Sequence, residues 1–220
     1  MARHGESKHF KRSTVTNSLV IPRKKYKYYI KPLPGKHSDK QGVSLLGFLR
    51  DVISIAGNAR EARYLIKSGL VSVDGKTIKE EKCVVGFSDV VKVKDDYFIV
   101  WLSEKGKIIA IKQDGKIDSK NVKIMSKHKG KNSKDILFTS DARNVVSEKA
   151  DIQINDTAIL DLVSGKIKDK ISFEQGKDVI VFNGKNAGKK GKIKEIDGYS
   201  VILSGKDGEF VSSVKSCMAL

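Results

Sequence analysis

The sequence predicts an α+β chain that is mostly β: a small helix–helix–hairpin unit, a central β-barrel-like domain and a small C-terminal barrel, preceded by a basic N-terminal extension. Three observations predict it. Helical periodicity is confined to residues 44–67, short apolar runs broken by Gly-containing turns fill most of the chain beyond residue 67, and cations gather at the N-terminal end. The boundaries drawn from these shifts are 1–40, 41–93, 94–174 and 175–220.

The extension comes first. From Met1 to Lys40 there are eleven Lys or Arg against only Glu6 and Asp39, a surplus of nine in a 220-residue chain whose whole formal charge is +17. Pro22, Pro32 and Pro34 oppose helix, and Tyr26, Tyr28 and Tyr29 lie among the lysines, so the segment on its own is expected to be disordered. Such a surplus seeks a polyanion. One reading is an arm threading along RNA, with Lys8, Lys11, Arg12, Arg23, Lys24, Lys25 and Lys27 on phosphates and tyrosines on sugars or bases. The others are a solvated tail and, at residues 23–27, a nuclear import signal.

Ser44 can cap a helix running to about Ile55, with Leu45, Leu49, Val52 and Ile53 as its apolar stripe. Asn58 caps a second one, Glu61 nearly completes a capping box, and Gly69 supplies a left-handed end. On this second helix Arg60, Arg63 and Lys67 share one face, while Ala62, Leu65 and Ile66 point the other way. A strand over 70–73 comes next, then an Asp74-Gly75 hairpin turn and Lys76.

Strand-like runs continue at 90–93, 97–102, 107–111, 122–125, 136–138, 158–162 and 171–173, with turn signals at Lys105-Gly106, Asp114-Gly115 and Ser164-Gly165. A basic loop tip carries Lys127, Lys129 and Lys131, readable as an RNA contact or as a lysine-rich loop kept for solubility. In the last unit, strands flank a loop in which Gly184, Gly188 and Gly191 permit close backbone approach and Lys185, Lys189 and Lys190 add charge.

Catalysis finds little purchase. The loop lacks the four-residue spacing and the hydroxyl of a nucleotide-binding phosphate loop, and a strand follows it rather than a helix. His4, His9, His37 and His128 lie in basic tails or loops, no hydrolase elbow or zinc-protease helix occurs, and Asp89, Asp141 and Asp156 suit turns. Cys83 and Cys217 alone support neither a disulfide framework nor a zinc site, which fits a reducing compartment. No apolar run could span a bilayer and no signal-peptide core follows Met1, so a soluble, non-secreted protein is expected.

The segment Ala59-Arg60-Glu61-Ala62-Arg63, then Lys67-Ser68-Gly69, then Val71-Ser72-Val73-Asp74-Gly75-Lys76, resembles the S-four RNA-binding motif. Residues 178–196, with their three glycines, resemble the KOW motif, which implies an SH3-like barrel. Their order, with Thr139-Ser140-Asp141-Ala142-Arg143 and Ile154-Asn155-Asp156-Thr157 between them, is similar to the eukaryotic and archaeal small-subunit ribosomal protein family S-four-e. Thr14 to Ile21 lacks the proline and tryptophan usual there, and family members commonly continue past the position of Leu220 with a basic tail. The resemblance implies a structural constituent of the small ribosomal subunit that supports assembly and translation without catalysis, cofactor, small-molecule substrate or membrane. Its expected partners are small-subunit ribosomal RNA and neighbouring small-subunit proteins. The expected location is the cytoplasmic ribosome, with nuclear or nucleolar transit in a eukaryote. The rival reading is an RNA-modification or transcription-elongation factor using the same modules, but residues 94–173 are fewer than the roughly 100–150 of a typical further domain.

Overall fold

The structure, a computed structural model, describes residues 9–24, 27–130, 135–147, 151–206 and 208–220. Strand β1 (His9–Lys11) pairs antiparallel with β2 (Tyr28–Ile30), and the chain between and after them packs onto the next unit. Val15, Leu19, Ile21 and Tyr29 are buried in the same core as the helices, so the described part of the extension is a folded layer on the next unit, whereas the expected disorder concerned the segment on its own. Its apolar residues follow no repeat. They are buried by a partner surface that periodicity cannot register.

Strand β3 (Gly42–Ser44) leads into α1 (Leu45–Gly47), where the Ser44 hydroxyl accepts from the Gly47 N–H at 3.2 Å. The helix continues as a wider π turn over Phe48–Val52 and stops there, short of Ile55, because Ser54 takes a left-handed φ of 54°. In α2 (Ala59–Lys67) the Asn58 side chain accepts from the Glu61 N–H at 3.0 Å, and Glu61 reaches back to the Gly57 N–H at 2.8 Å. This is a capping box displaced by one residue. Ala62 and Ile66 are buried against α1, as the stripe requires.

Strands β4 (Val71–Val73) and β5 (Lys76–Thr77) flank the Asp74-Gly75 turn, whose two residues both have positive φ, 50° and 78°, as a two-residue hairpin of this hand demands. Next come β6 (Val84–Gly86), paired with β3, then β7 (Val90–Val93), β8 (Asp96–Leu102) and β9 (Ile108–Gln113). The sheet order is β5-β4-β7-β8-β9. The expected break after residue 93 therefore falls inside a hairpin. Val100, Leu102 and Ile108 share the core of the helix pair, which places the compositional shift well before the structural one.

A second core lies under β10 (Ser119–Lys129), β11 (Asp135–Thr139), β12 (Asn144–Ser147), β13 (Thr157–Asp161) and β14 (Ile167–Ile171), in the order β12-β11-β10-β13-β14. Strand β14 precedes the expected 171–173 run because Asp161 closes a tight turn, accepting from the Ser164 N–H and hydroxyl, and the chain re-enters the sheet at once. A third core is enclosed by β15 (Asp178–Val181), β16 (Lys190–Asp197), β17 (Ser200–Gly205), β18 (Gly208–Ser213) and β19 (Cys217–Ala219), ordered β18-β17-β16-β15-β19. Its inward set is Val179, Val181, Ile193, Val201, Leu203 and Cys217. Cys217 is buried in this core, and burial pushes its thiol up to about 11.

Candidate nucleic-acid interface

On α2 the side chains of Arg60, Arg63 and Lys67 are exposed, as their spacing requires. Arg63 is partly committed, since its Nε lies 2.5 Å from Glu81 Oε2. Tyr64 stands among them, four residues after Arg60, and is 70% exposed. An exposed ring flanked by cations suits a base or ribose, and the i+4 relationship could have pointed to it from sequence. Lys76 is exposed beside the hairpin turn.

The other expected cations divide into exposed and inward-turned groups. Lys11, Lys24, Lys27, Lys129, Lys185 and Lys190 are exposed, with the Lys27 ammonium over the Tyr28 ring. Arg12 is 3% exposed, and its guanidinium donates to the Pro22 carbonyl at 2.9 Å and the Tyr28 carbonyl at 3.4 Å. Arg23 donates to the carbonyls of Val15, Thr16, Ser13 and Arg12 and to Asn17. These two arginines gather the extension's own backbone, an intramolecular role the sequence does not announce. Lys127 is also turned inward, 2.9 Å from Asp135 and 3.1 Å from the Ile152 carbonyl. Lys8, Lys25 and Lys131 lie outside the described residues.

Around the glycine-lysine loop the structure adds cations from elsewhere. The Gly188 backbone lies against the Ser103 carbonyl so closely that a Cβ would overlap it, and a Cβ on Gly106 would come within 3.0 Å of the Ala187 carbonyl oxygen. The loop thus docks on the turn between β8 and β9. One side of this joint is a cleft of about 270 Å³, lined by Lys40, Lys105, Lys107 and Lys185 and by no carboxylate. Lys40, Lys105 and Lys107 carry no motif, so nothing in the sequence singles them out.

These surfaces are held in place by a buried ionic hub. Lys120 Nζ lies 3.0 Å from both Asp74 and Asp89 and 2.9 Å from Asp141; Lys36 reaches Asp74 and Asp89, and Arg143 reaches Asp74 and Asp141. His37 Nε2 is 3.0 Å from Asp89. Burial alone would drive the Lys120 ammonium toward neutrality, but Asp89, Asp74 and Asp141 outweigh it and raise its pKa. Burial likewise opposes the Asp89 and Asp141 charges, yet Lys120 and the cations behind it hold both carboxyls below their ordinary range. Asp89 and Asp141 are therefore more than turn formers. They join extension, hairpin and central sheet, whereas Asp156 does shape a turn, accepting from Gln153 N–H at 2.9 Å. Three carboxylates thus face two lysines, an arginine and a histidine in one buried cluster.

Lys123 makes the second joint. It is fully buried, donates to the Cys217 carbonyl at 2.6 Å and to the Val214 carbonyl, and lies over the Phe173 ring at 5.0 Å. With no facing carboxylate, burial lowers its pKa to about 8. Among the described residues, no cluster of three or more His, Cys, Asp or Glu could hold a metal, and no helix is long and apolar enough to cross a membrane.

Comparisons with known proteins agree on one family. The model described as Ribosomal family S4e matches residues 94–167. The small ribosomal subunit protein eS4 of Methanocaldococcus jannaschii is 36% identical over 230 aligned residues, covering 98% of this chain and 94% of the relative. Its counterpart in Thermoplasma volcanium is 31% identical, covering 85% of this chain and 80% of the relative. The crystal structure of the 30S ribosomal protein S4e from Thermoplasma acidophilum superposes with a TM-score of 0.71 at 26% identity, covering 82% of this chain and 95% of that one.

Proposed function

The chain belongs to the S4e family of ribosomal proteins, and from that premise we propose that it is a structural constituent of the small ribosomal subunit that anchors itself to folded ribosomal RNA through exposed cations on a rigid scaffold. The relatives it matches are ribosomal proteins rather than enzymes. The observation that carries the RNA reading is the α2 face. Arg60, Arg63, Tyr64 and Lys67 project together from a helix capped at both ends, with its opposite face buried, so the backbone that presents the four groups is ordered before binding.

The same geometry supports a finer assignment. The α2–hairpin unit is read as the S-four module and the C-terminal sheet as the KOW-type module, with the 103–107 turn locking them into one surface. Lys11, Lys24, Lys27, Lys76, Lys129, Lys185, Lys189 and Lys190 extend the contact. Neighbouring small-subunit proteins are further partners, and the ribosome in the cytoplasm is the location. The Methanocaldococcus and Thermoplasma relatives are archaeal, and no nuclear transit is proposed.

The test is the salt dependence of binding to small-subunit ribosomal RNA. Each neutralised phosphate contributes roughly −0.7 to −0.9 to the slope of log K against log salt, so about eight contacts give a slope near −6 to −7. A slope near zero would remove the phosphate-anchoring basis of the reading.

A further inference from the structure

On the other side of the joint made by Gly188 and the Ser103 carbonyl lies a second cleft, of about 410 Å³, lined by Trp101, Ile109, Ile111 and Phe210 with Lys189 and Lys190 at its rim. We propose that this cleft takes one unpaired nucleobase of the bound RNA, stacked against Trp101 and Phe210 with its phosphate on Lys189 and Lys190. The inference rests on the RNA-anchoring reading and deepens it, because it names the kind of RNA this surface requires: one with an extruded or single-stranded nucleotide.

The rings are firmly supported. Trp101 packs on Phe87 with centroids 4.9 Å apart, and Phe87 stacks on Phe182 at 5.7 Å with planes 7° apart. Register places Trp101 opposite Ile109 in the hairpin of β8 and β9, while Phe210 comes from β18, so two modules contribute the apolar lining. The volume falls within the roughly 300–1,000 Å³ of small-ligand sites. Ile111, 41% exposed, lines the same cleft.

Charge selects a nucleotide over an apolar peptide. The Lys190 ammonium sits 5.6 Å from the Trp101 ring centroid and the Lys189 ammonium 5.2 Å from that of Phe210. A base exchanges these cation–π contacts for stacking, and both ammonium groups move to its phosphate. Two carboxylates also line the cleft, Glu209 with Lys194 at 2.7 Å and Glu104 3.5 Å from Lys206, so Lys189 and Lys190 are the lining lysines without a carboxylate contact among the described residues. Leu102 lines both clefts, so the carboxylate-free lysine cleft lies on the opposite side of the same joint.

Trp101 is the chain's only tryptophan and lines this cleft, so its emission reports directly on what stacks there. The full chain is titrated with a labelled single-stranded decaribonucleotide and with a blunt duplex of equal charge, reading Trp emission and label anisotropy together. The single strand is expected to quench Trp101 as it binds, the duplex to bind without quenching, and Phe210→Leu to weaken single-strand binding roughly tenfold. Single-strand binding with unchanged emission, equal quenching by duplex, or undiminished affinity in a folded Phe210→Leu protein overturns the proposal while leaving RNA anchoring intact. Failure to bind either RNA at low salt overturns both. The wild-type emission needs no substitution, so the test stands even if the variant does not fold.

Discussion

Tyr29 of the N-terminal extension packs its phenol directly on the backbone of Gly47 in the first helix, leaving no room for a Cβ there. This contact joins a segment that reads as a loose tail to the centre of the helix pair. Gly47→Ala is expected to destabilise the protein by about 1–3 kcal/mol through overpacking, and adding Tyr29→Phe to recover part of the loss, since the hydroxyl is the nearest atom. Denaturant midpoints of the two single variants and the double variant decide it. Strict additivity would show that the two residues do not meet.

The ionic hub should matter far more to stability than any exposed pair. Lys120→Met leaves Asp74, Asp89 and Asp141 facing Lys36, Arg143 and His37 without their central ammonium, and breaking a buried arrangement of this kind costs about 3–5 kcal/mol. Disrupting the exposed Arg63–Glu81 pair costs about 1 kcal/mol or less. Equal midpoints for Lys120→Met and Arg63→Gln would contradict the hub's role.

Acid should undo the same hub. Asp89 and Asp141 have folded pKa values below their unfolded value near 3.8, so the unfolded state binds their protons first as pH falls. Their stabilisation is complete above that value and is lost as pH descends through the folded pKa values. Measured stability should therefore drop steeply below about pH 4, and Asp141→Asn should flatten that limb. An unchanged acid limb in Asp141→Asn would refute the assignment.

Lys123 carries the opposite sign. Its folded pKa of about 8 lies below the ordinary 10.5, so between those values the unfolded state holds more protons and stability rises with pH. Relative to Lys123→Met, the native protein should gain up to about 3 kcal/mol across that window. Taking the difference removes the shared titration of other lysines. A flat difference would mean that the amine is not buried as the structure has it.

Much of the α2 unit was legible because its determinants are local. The Asn58 cap, the Asp74-Gly75 turn and the buried Ala62 and Ile66 each depend on residues within one turn or hairpin. The rest depends on partners far along the chain. Strand β10 carries both Lys120 and Lys123, and both are buried because other units cover both faces of the strand. Arg12 and Arg23 looked like phosphate ligands since nothing in their neighbourhood announced the carbonyls they collect. Basic residue types were visible, whereas which of them turn inward is settled by tertiary contacts.

The most direct measurement is incorporation into ribosomes. Cells expressing the chain with Arg60, Arg63 and Lys67 all changed to Glu are compared with cells expressing the unaltered chain, and the small-subunit peak of a sucrose gradient is assayed for each. An equimolar amount of the unaltered protein is expected in that peak, with near absence of the folded triple variant. Equal incorporation of both would contradict the claim that the cationic face of α2 anchors this protein to RNA.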